Sequence, residues 1–431
     1  MNTKAVNGIS VNYRKRWCFL CPILLFALLP VHTIMAQHTM RFHYADSLTY
    51  RLYEQQQWAE LIRTGKKAID EGHDYYYLRM RTGIALFMLQ HYRAAAPEFE
   101  KALWHNSGSQ YAYDYLHLCY TWGGLETEAL ALEKRFEKLA ENAGKTTQII
   151  REVSIFSGAS VSGSPDKLQD INLGEIYGEV TGNGNLWFIH AGANVSPVSP
   201  YFFYLGYTQM QLSKLQRVVM NGIDTLDHDF RLKQNQVFLN MPLHLAKGWH
   251  ITPAVSLINV SEQPMIVRYD TIGLKYQFRK TDTSLKNYLM SLRIIKEMPY
   301  FNFGLAAAHS NLNHANQWQG TLLAGLYPFA NLNLYGLARV AALAENDEVN
   351  WHFRLIAGSR VHSWLWLQGS HLFGHLKNAH DENGLLIFNT SGEIISRSTA
   401  TAFFLINEKL TLQIDYSFVK QQDHYIEYSY T

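Results

Sequence analysis

Charge is scarce in this 431-residue chain. Asp, Glu, Lys and Arg make up 17% of it, against the roughly 25% usual in soluble globular proteins. The signs nearly cancel, 38 basic against 36 acidic side chains for a formal net charge of +2, and neither sign gathers in runs. That balance leaves no electrostatic footprint for nucleic acid. Cysteine is scarcer still, at three residues, and two of them, Cys18 and Cys21, lie in an N-terminal leader-like segment. Cys119 alone permits no intramolecular disulfide and no thiolate metal cluster. Beyond the N-terminus no apolar run approaches the roughly 20 residues of a membrane-crossing helix, so any spanning must be done by strands. What the chain holds instead is 26 Tyr, 22 Phe and 10 Trp, at a mean hydropathy of −0.17. Apolar bulk without apolar runs suits alternating strands.

The opening MNTKAVNGISVNYRKRWCFLCPILLFALLPVHTIMAQ has a basic region (Lys4, Arg14, Lys15, Arg16), an apolar run from Trp17 broken by Pro22 and Pro30, then TIMAQ. Its apolar part, about 13 to 16 residues, is too short to span and predicts an export signal cleaved after Ala36.

Residues 37–147 read as helical and repetitive. In YYYLRMRTGIALFMLQHYRAAAPEFEKALWHNSG, the residues Gly83, Tyr92, Ala95, Phe99 and Ala102 fall at the spacing of a helical hairpin, and Ala68 and Ala129 extend the pattern by 34 residues each way. Small residues let paired helices approach, and the Phe99 aromatic fills the space between them. The unit resembles a tetratricopeptide (TPR) repeat. The upstream copy carries Trp58 at the Tyr92 position but Leu61 and Gly65 in place of Ala95 and Phe99. Stacked repeats expose a concave groove, and the resemblance places Tyr77, Tyr111 and Asp114 in it, as candidates for docking a periplasmic protein partner or as ordinary surface residues. The Gly144, Lys145, Thr146 triplet lacks the remaining glycine and the strand of a phosphate loop.

From 148 to 431 the period is two. Strands are expected near 149–162, 185–196, 201–220, 231–246, 249–268, 284–297, 300–312, 318–328, 331–344, 350–362, 364–377, 397–407, 410–420 and 425–431, about 14 in all. Every second connection is tight (SPVSP, AKG, EMP, PFAN, VHS, NEK) and the intervening ones include long polar segments such as NAHDENGLLIFNTSGEIIS. Short connections at one end and long ones at the other mark an outer-membrane barrel. Aromatics crowd the tight turns, among them Tyr201, Trp249, Tyr300, Tyr327, Phe329, Trp364 and Trp366, as expected at a membrane interface. The last segment, YIEYSYT, is expected to pair with the first strand and remove the edges.

In NWHFRLIAGSRVHSW, Trp351, Phe353, Leu355 and Val361 alternate with His352, Arg354, Arg360 and His362. Closure into a barrel turns the first set toward outer-membrane lipid and the second, with Arg293 and Arg339 of neighbouring strands, toward the lumen. The inward set is net basic, with Asp415 and Glu427 as partial counter-charges. Such a lumen attracts an anionic solute or polymer if open, or packs shut if its charges neutralise one another.

There is no Gly-x-Ser-x-Gly, no His-Glu-x-x-His and no paired Cys-x-x-Cys, and no cofactor is implied. His371 and His375 share a strand face but lack a third metal ligand. The fold class expected is α plus all-β: a short TPR-like helical domain over 37–147, then an antiparallel transmembrane β-barrel over 148–431. This order of parts resembles Gram-negative outer-membrane proteins that join a periplasmic TPR segment to a C-terminal barrel, a group that includes the exopolysaccharide-export porins. The resemblance implies a non-enzymatic outer-membrane protein whose arm docks a partner for transport or assembly of an envelope component. An outer-membrane enzyme acting on lipid or peptide, and a soluble secreted β-sandwich protein with TPR repeats, remain alternatives.

Overall fold

The structure, a computed structural model, describes residues 40–137, 149–162, 177–198, 201–220, 224–270, 272, 275–389, 393–422 and 426–428. The expected leader and the domain boundary at 147/148 lie outside these residues.

Six helices come first: α1 (Phe42–Glu54), α2 (Trp58–Asp70), α3 (Tyr76–Met88), α4 (Tyr92–His105), α5 (Gln110–Trp122) and α6 (Glu126–Glu137). They form three hairpins whose first helices begin at 42, 76 and 110 and whose second helices begin at 58, 92 and 126, a step of 34 in both series. The turn residue that ends each first helix repeats as well: Gln56, Gln90 and Gly124 all sit in the left-handed region, at φ 55°, 62° and 69°, where the chain can leave a helix sharply. Phe99 is fully buried and stacks on Tyr115 with ring centres 5.1 Å apart. A Cβ on Gly83 would come within 2.9 Å of the Phe99 ring, so the glycine sets how closely α3 and α4 approach. In the first hairpin Gly65 replaces the aromatic, and Thr82 sits where its Cβ would be, at 2.4 Å.

The strands are β1 (Ile150–Ser160), β2 (Tyr177–Val198), β3 (Tyr201–Met220), β4 (Asp224–Asn240), β5 (Leu243–Ala246), β6 (Trp249–Glu262), β7 (Met265–Asp270), β8 (Lys275–Lys280), β9 (Thr283–Glu297), β10 (Phe301–Ser310), β11 (Gln317–Leu326), β12 (Leu334–Glu345), β13 (Glu348–His362), β14 (Leu365–Leu376), β15 (Ala379–Asp381), β16 (Leu386–Phe388), β17 (Glu393–Asn407), β18 (Leu410–Gln422) and β19 (Ile426–Tyr428). One antiparallel sheet takes most of them, in the order β1-β2-β3-β4-β6-β9-β10-β11-β12-β13-β14-β17-β18, with β5 on β6 and β19 on β2. Two small hairpins stand apart from it, β7 with β8 and β15 with β16. Three expectations are corrected. The second strand starts at 177 rather than 185; the expected 231–246 and 249–268 each split in two; and the C-terminal strand pairs with β2, not β1. The last follows from β1 covering β2 only between Leu186 and Val195, which leaves the start of β2 for Ile426 to Tyr428.

The sheet is curled. Side chains on β4 (Gln236), β6 (Ser256), β9 (Ser291), β11 (Gln319), β12 (Arg339) and β13 (Arg354) all bond to the short segment 380–385. In a flat sheet β4 and β13, six places apart in the order, would be separated by roughly 29 Å at the ~4.8 Å strand spacing. One short segment meets both only if that face is concave and wraps it.

The concave face is the polar one. Gln216, Gln234, Gln236, Thr252, Ser256, Asn287, Gln317 and Gln319 are buried, whereas Leu205, Val237, Met290, Leu305, Leu322, Leu355 and Leu412 are exposed. A water-facing sheet shows the opposite. The outward residues also align: Ile251, Ile294, Leu305, Leu322, Val340, Phe353 and Phe373 are successive cross-strand partners. This apolar belt crosses seven adjacent strands.

Candidate functional site

The segment inside the curl is NAHDENGLLIFN, 378–389. Asn378, Glu382, Asn383 and Gly384 have φ of 56°, 48°, 57° and 95°, a run of left-handed residues that folds the chain into a compact knot. Asn and Gly accept that conformation readily, and Glu382 does so at a cost of about 1 kcal/mol. Ion pairs offset that cost. Arg339 donates to Asp381 at 2.7 Å and to Glu382 at 2.8 Å, and Arg354 donates to the same two carboxylates at 2.5 and 2.8 Å. Arg339 and Arg354 are directly opposed cross-strand partners. Like charges placed so repel, and the 378–389 segment, which plugs the curl, supplies the acids that neutralise them. Backbone carbonyls of the plug take further bonds from Gln236, Ser256 and Ser291 at 2.9, 2.6 and 2.9 Å.

Four of the six lumen candidates therefore meet in one place. Arg293, Arg339, His352 and Arg354 line a small cavity of about 30 Å³ beside Asp381 and Glu382. Arg360 and His362 do not join them. Both are exposed at the end of β13, where a bulge between them interrupts the pairing with β14, and Arg360 lies over the Trp366 ring at 4.8 Å. Asp415 bonds Thr401 and Gln413, and the Glu427 side chain lies outside the described residues. The counter-charges come from a loop instead. Reading by strand alternation could not find Asp381 and Glu382, which belong to no spanning strand.

The helical domain closes over the tight-turn end. The Arg93 guanidinium sits 3.9 Å from the centre of the Tyr327 ring, pairs with Glu297 and bonds the Met298 carbonyl at 3.2 Å. The Arg93 amide donates to Ala330 at 2.8 Å, His91 Nδ1 bonds the Phe329 carbonyl at 2.8 Å, and Asn331 reaches the Gln90 carbonyl at 2.8 Å. A chamber of about 480 Å³ is left between cap and plug, with Gly124 and Thr127 on one side, Asn383 on the other, and Tyr204, Phe238 and Arg293 in its walls. Tyr77 and Tyr111 hold equivalent positions one repeat apart and are 64% and 75% exposed. Asp114, also exposed, accepts from Gln110 at 2.8 Å.

The histidines divide differently from expectation. His371 and His375 bond separate partners, Ser398 at 2.9 Å and Glu393 at 2.5 Å. His244 and His250 are instead paired across the β5–β6 hairpin, and Glu128 of α6 bonds His250 at 2.6 Å. Burial pushes the Glu128 carboxyl up, but the His250 hydrogen bond and charge outweigh it and hold it below its ordinary value. The signal for the histidine pair was present in HLAKGWH, two histidines symmetric about a Lys-Gly turn. Its third member lies 122 residues upstream.

No family model matches the chain, and no curated protein matches it. Among solved structures, MamA (MSR-1) is 21% identical over 25% of this chain, with a TM-score of 0.22, and the match spans 63% of that structure. CdiB from Escherichia coli is 8% identical over 65% of each chain, with a TM-score of 0.29. The ferric-catecholate import receptor Fiu from E. coli K12 is 8% identical over 55% of this chain and 47% of its own, with a TM-score of 0.29. The fold rests on the 34-residue helical step and the strand register described above.

Proposed function

We propose that this chain is an outer-membrane β-barrel, stoppered by its own 378–389 segment and capped by its TPR-like arm, whose task is to hold the arm's exposed face at the membrane for a periplasmic protein partner. The observation that carries this reading is the inverted sheet: polar residues packed inward around the plug, and an aligned apolar belt outward. Hydrocarbon is the solvent in which such a belt is stable. The arm's contacts with 297–298 and 327–333 support the orientation, because these are tight turns and short connections face the periplasm in such barrels. The row of Tyr77 and Tyr111 supports the docking role. An open basic pore for anions has less support, since Arg339 and Arg354 already hold two carboxylates.

Fractionation and electrical recording test this together. The protein stays with membranes after carbonate washing, and the purified protein passes no current across planar bilayers. Release into the wash contradicts the barrel, and a steady wild-type current contradicts the stopper.

A further inference from the structure

Where the arm meets the barrel, three side chains from distant parts of the sequence converge. His244 of β5 and His250 of β6 are cross-strand partners with ring centres 5.4 Å apart, and α6 brings Glu128 against them. The ligand-capable atoms of all three lie within 4.8 Å of one another, with Glu128 and His250 buried and His244 half-buried.

The protons around this cluster can be counted. Thr127 Oγ1 lies 3.1 Å from Glu128 Oε2 and 2.9 Å from His250 Nδ1. A carboxylate only accepts, so when the single hydroxyl proton goes to Glu128, Thr127 accepts from His250 Nδ1–H. The neutral form of that imidazole then has a lone pair on Nε2, facing Glu128 Oε1 at 2.6 Å. In that tautomer two lone pairs meet, and a cation beside them relieves their repulsion. His244 Nδ1, buried and without a hydrogen-bond partner, offers a third.

We propose that Glu128, His244 and His250 bind a divalent transition-metal ion of the zinc class and so clasp the helical arm to the barrel. Two imidazoles and one carboxylate suit zinc and its neighbours, with a fourth position left for water, whereas calcium and magnesium require more oxygen ligands. Thr127 fills the outer role such sites use, fixing the His250 tautomer through the ring nitrogen that faces away from the metal. Because Glu128 belongs to the arm and both histidines to the barrel, binding is coupled to docking of one on the other. The inference stands apart from the docking role of the arm's exposed face.

The test uses full-length protein without a histidine tag, purified in detergent and stripped with chelator. Cobalt(II) is added and its visible ligand-field bands followed, then zinc is added in competition. One cobalt per chain, displaced by zinc and absent in His244→Ala, is expected; His244 makes no hydrogen bond through Nδ1, so this variant keeps the hydrogen bonds around Glu128. Thr127→Val weakens affinity about 10-fold, and His371→Ala, remote from the cluster, binds as wild type. Zinc raises the melting temperature of the helical signal in wild type but not in His244→Ala. No saturable binding to the wild type, or equal binding in His244→Ala, overturns the proposal and leaves a hydrogen bond as the sole link between His250 and Glu128.

Discussion

The guanidinium of Arg93 lies 3.9 Å from the centre of the Tyr327 ring and pairs with Glu297 beneath it. Its side chain is 2% exposed, so one helical residue is buried in the mouth of the sheet. Removing one partner of such a buried pair strands the other and costs about 3–5 kcal/mol. Arg93→Ala therefore loosens the arm while sparing the barrel. Hydrogen exchange should quicken at 90–93 and 327–333 and stay unchanged in the apolar belt. Unaltered exchange at both segments would show that the cap is held elsewhere.

The plug is held through two arginines. Replacing Arg339 and Arg354 together with Ala leaves Asp381 and Glu382 without their partners inside the curl, a loss of several kcal/mol against the left-handed backbone they stabilise. Planar bilayers should then show intermittent current where the wild type is silent. A double variant as quiet as wild type means the neutral hydrogen bonds from Gln236, Ser256 and Ser291 suffice alone.

Gly83 gives a prediction whose sign opposes intuition. Gly to Ala inside a helix ordinarily stabilises by about 1 kcal/mol. Here the new methyl meets the Phe99 ring at 2.9 Å, and Phe99 is pinned against Tyr115. Overpacking of about 1–3 kcal/mol should prevail, lowering the melting temperature of the helical circular-dichroism signal. Phe99→Leu in the same chain should recover part of the loss. A stabilised Gly83→Ala would mean that α3 and α4 are not in close contact.

Acid should weaken the helical arm through Asp74. The hydrogen bonds from Arg79, with a further one from His105, hold its carboxyl well below the ordinary 3.8 against the opposing effect of burial. A carboxyl depressed in the folded state contributes stability that is complete above its unfolded value and is lost as pH falls below it. Asp74→Asn should thus be less stable than wild type at pH 7, with the gap narrowing below about pH 4. A gap of constant size from pH 7 to pH 3 would remove the ion pair from the account.

Much of this architecture was legible because it is periodic. Ala95, Phe99 and Ala102 carry a 34-residue step that the structure forms as three hairpins, including the first, whose packing residues are substituted, since stacking against a good repeat stabilises poorer ones. Strand alternation placed Trp351 and Leu355 outward and Arg354 inward. It failed where periodicity ends. Arg360 and His362 follow the inward parity, yet they stand at the end of β13 away from the plug, and a bulge shifts the register between them. The plug has no period, so Asp381 and Glu382 were hidden in what reads as a polar loop. The Glu128, His244 and His250 cluster joins two domains, a relation that only three dimensions reveal.

The decisive measurement concerns Leu355, central in β13 and 53% exposed. Folding free energy into lipid vesicles should be compared for wild type, Leu355→Arg and Val361→Arg, the last being an equally outward position at the strand end. The account predicts a cost of about 2–4 kcal/mol at Leu355, where the side chain would sit at mid-bilayer, and about 0–1 kcal/mol at Val361. If both arginines are tolerated alike, as on a water-facing surface, the belt does not contact hydrocarbon and the barrel reading is wrong.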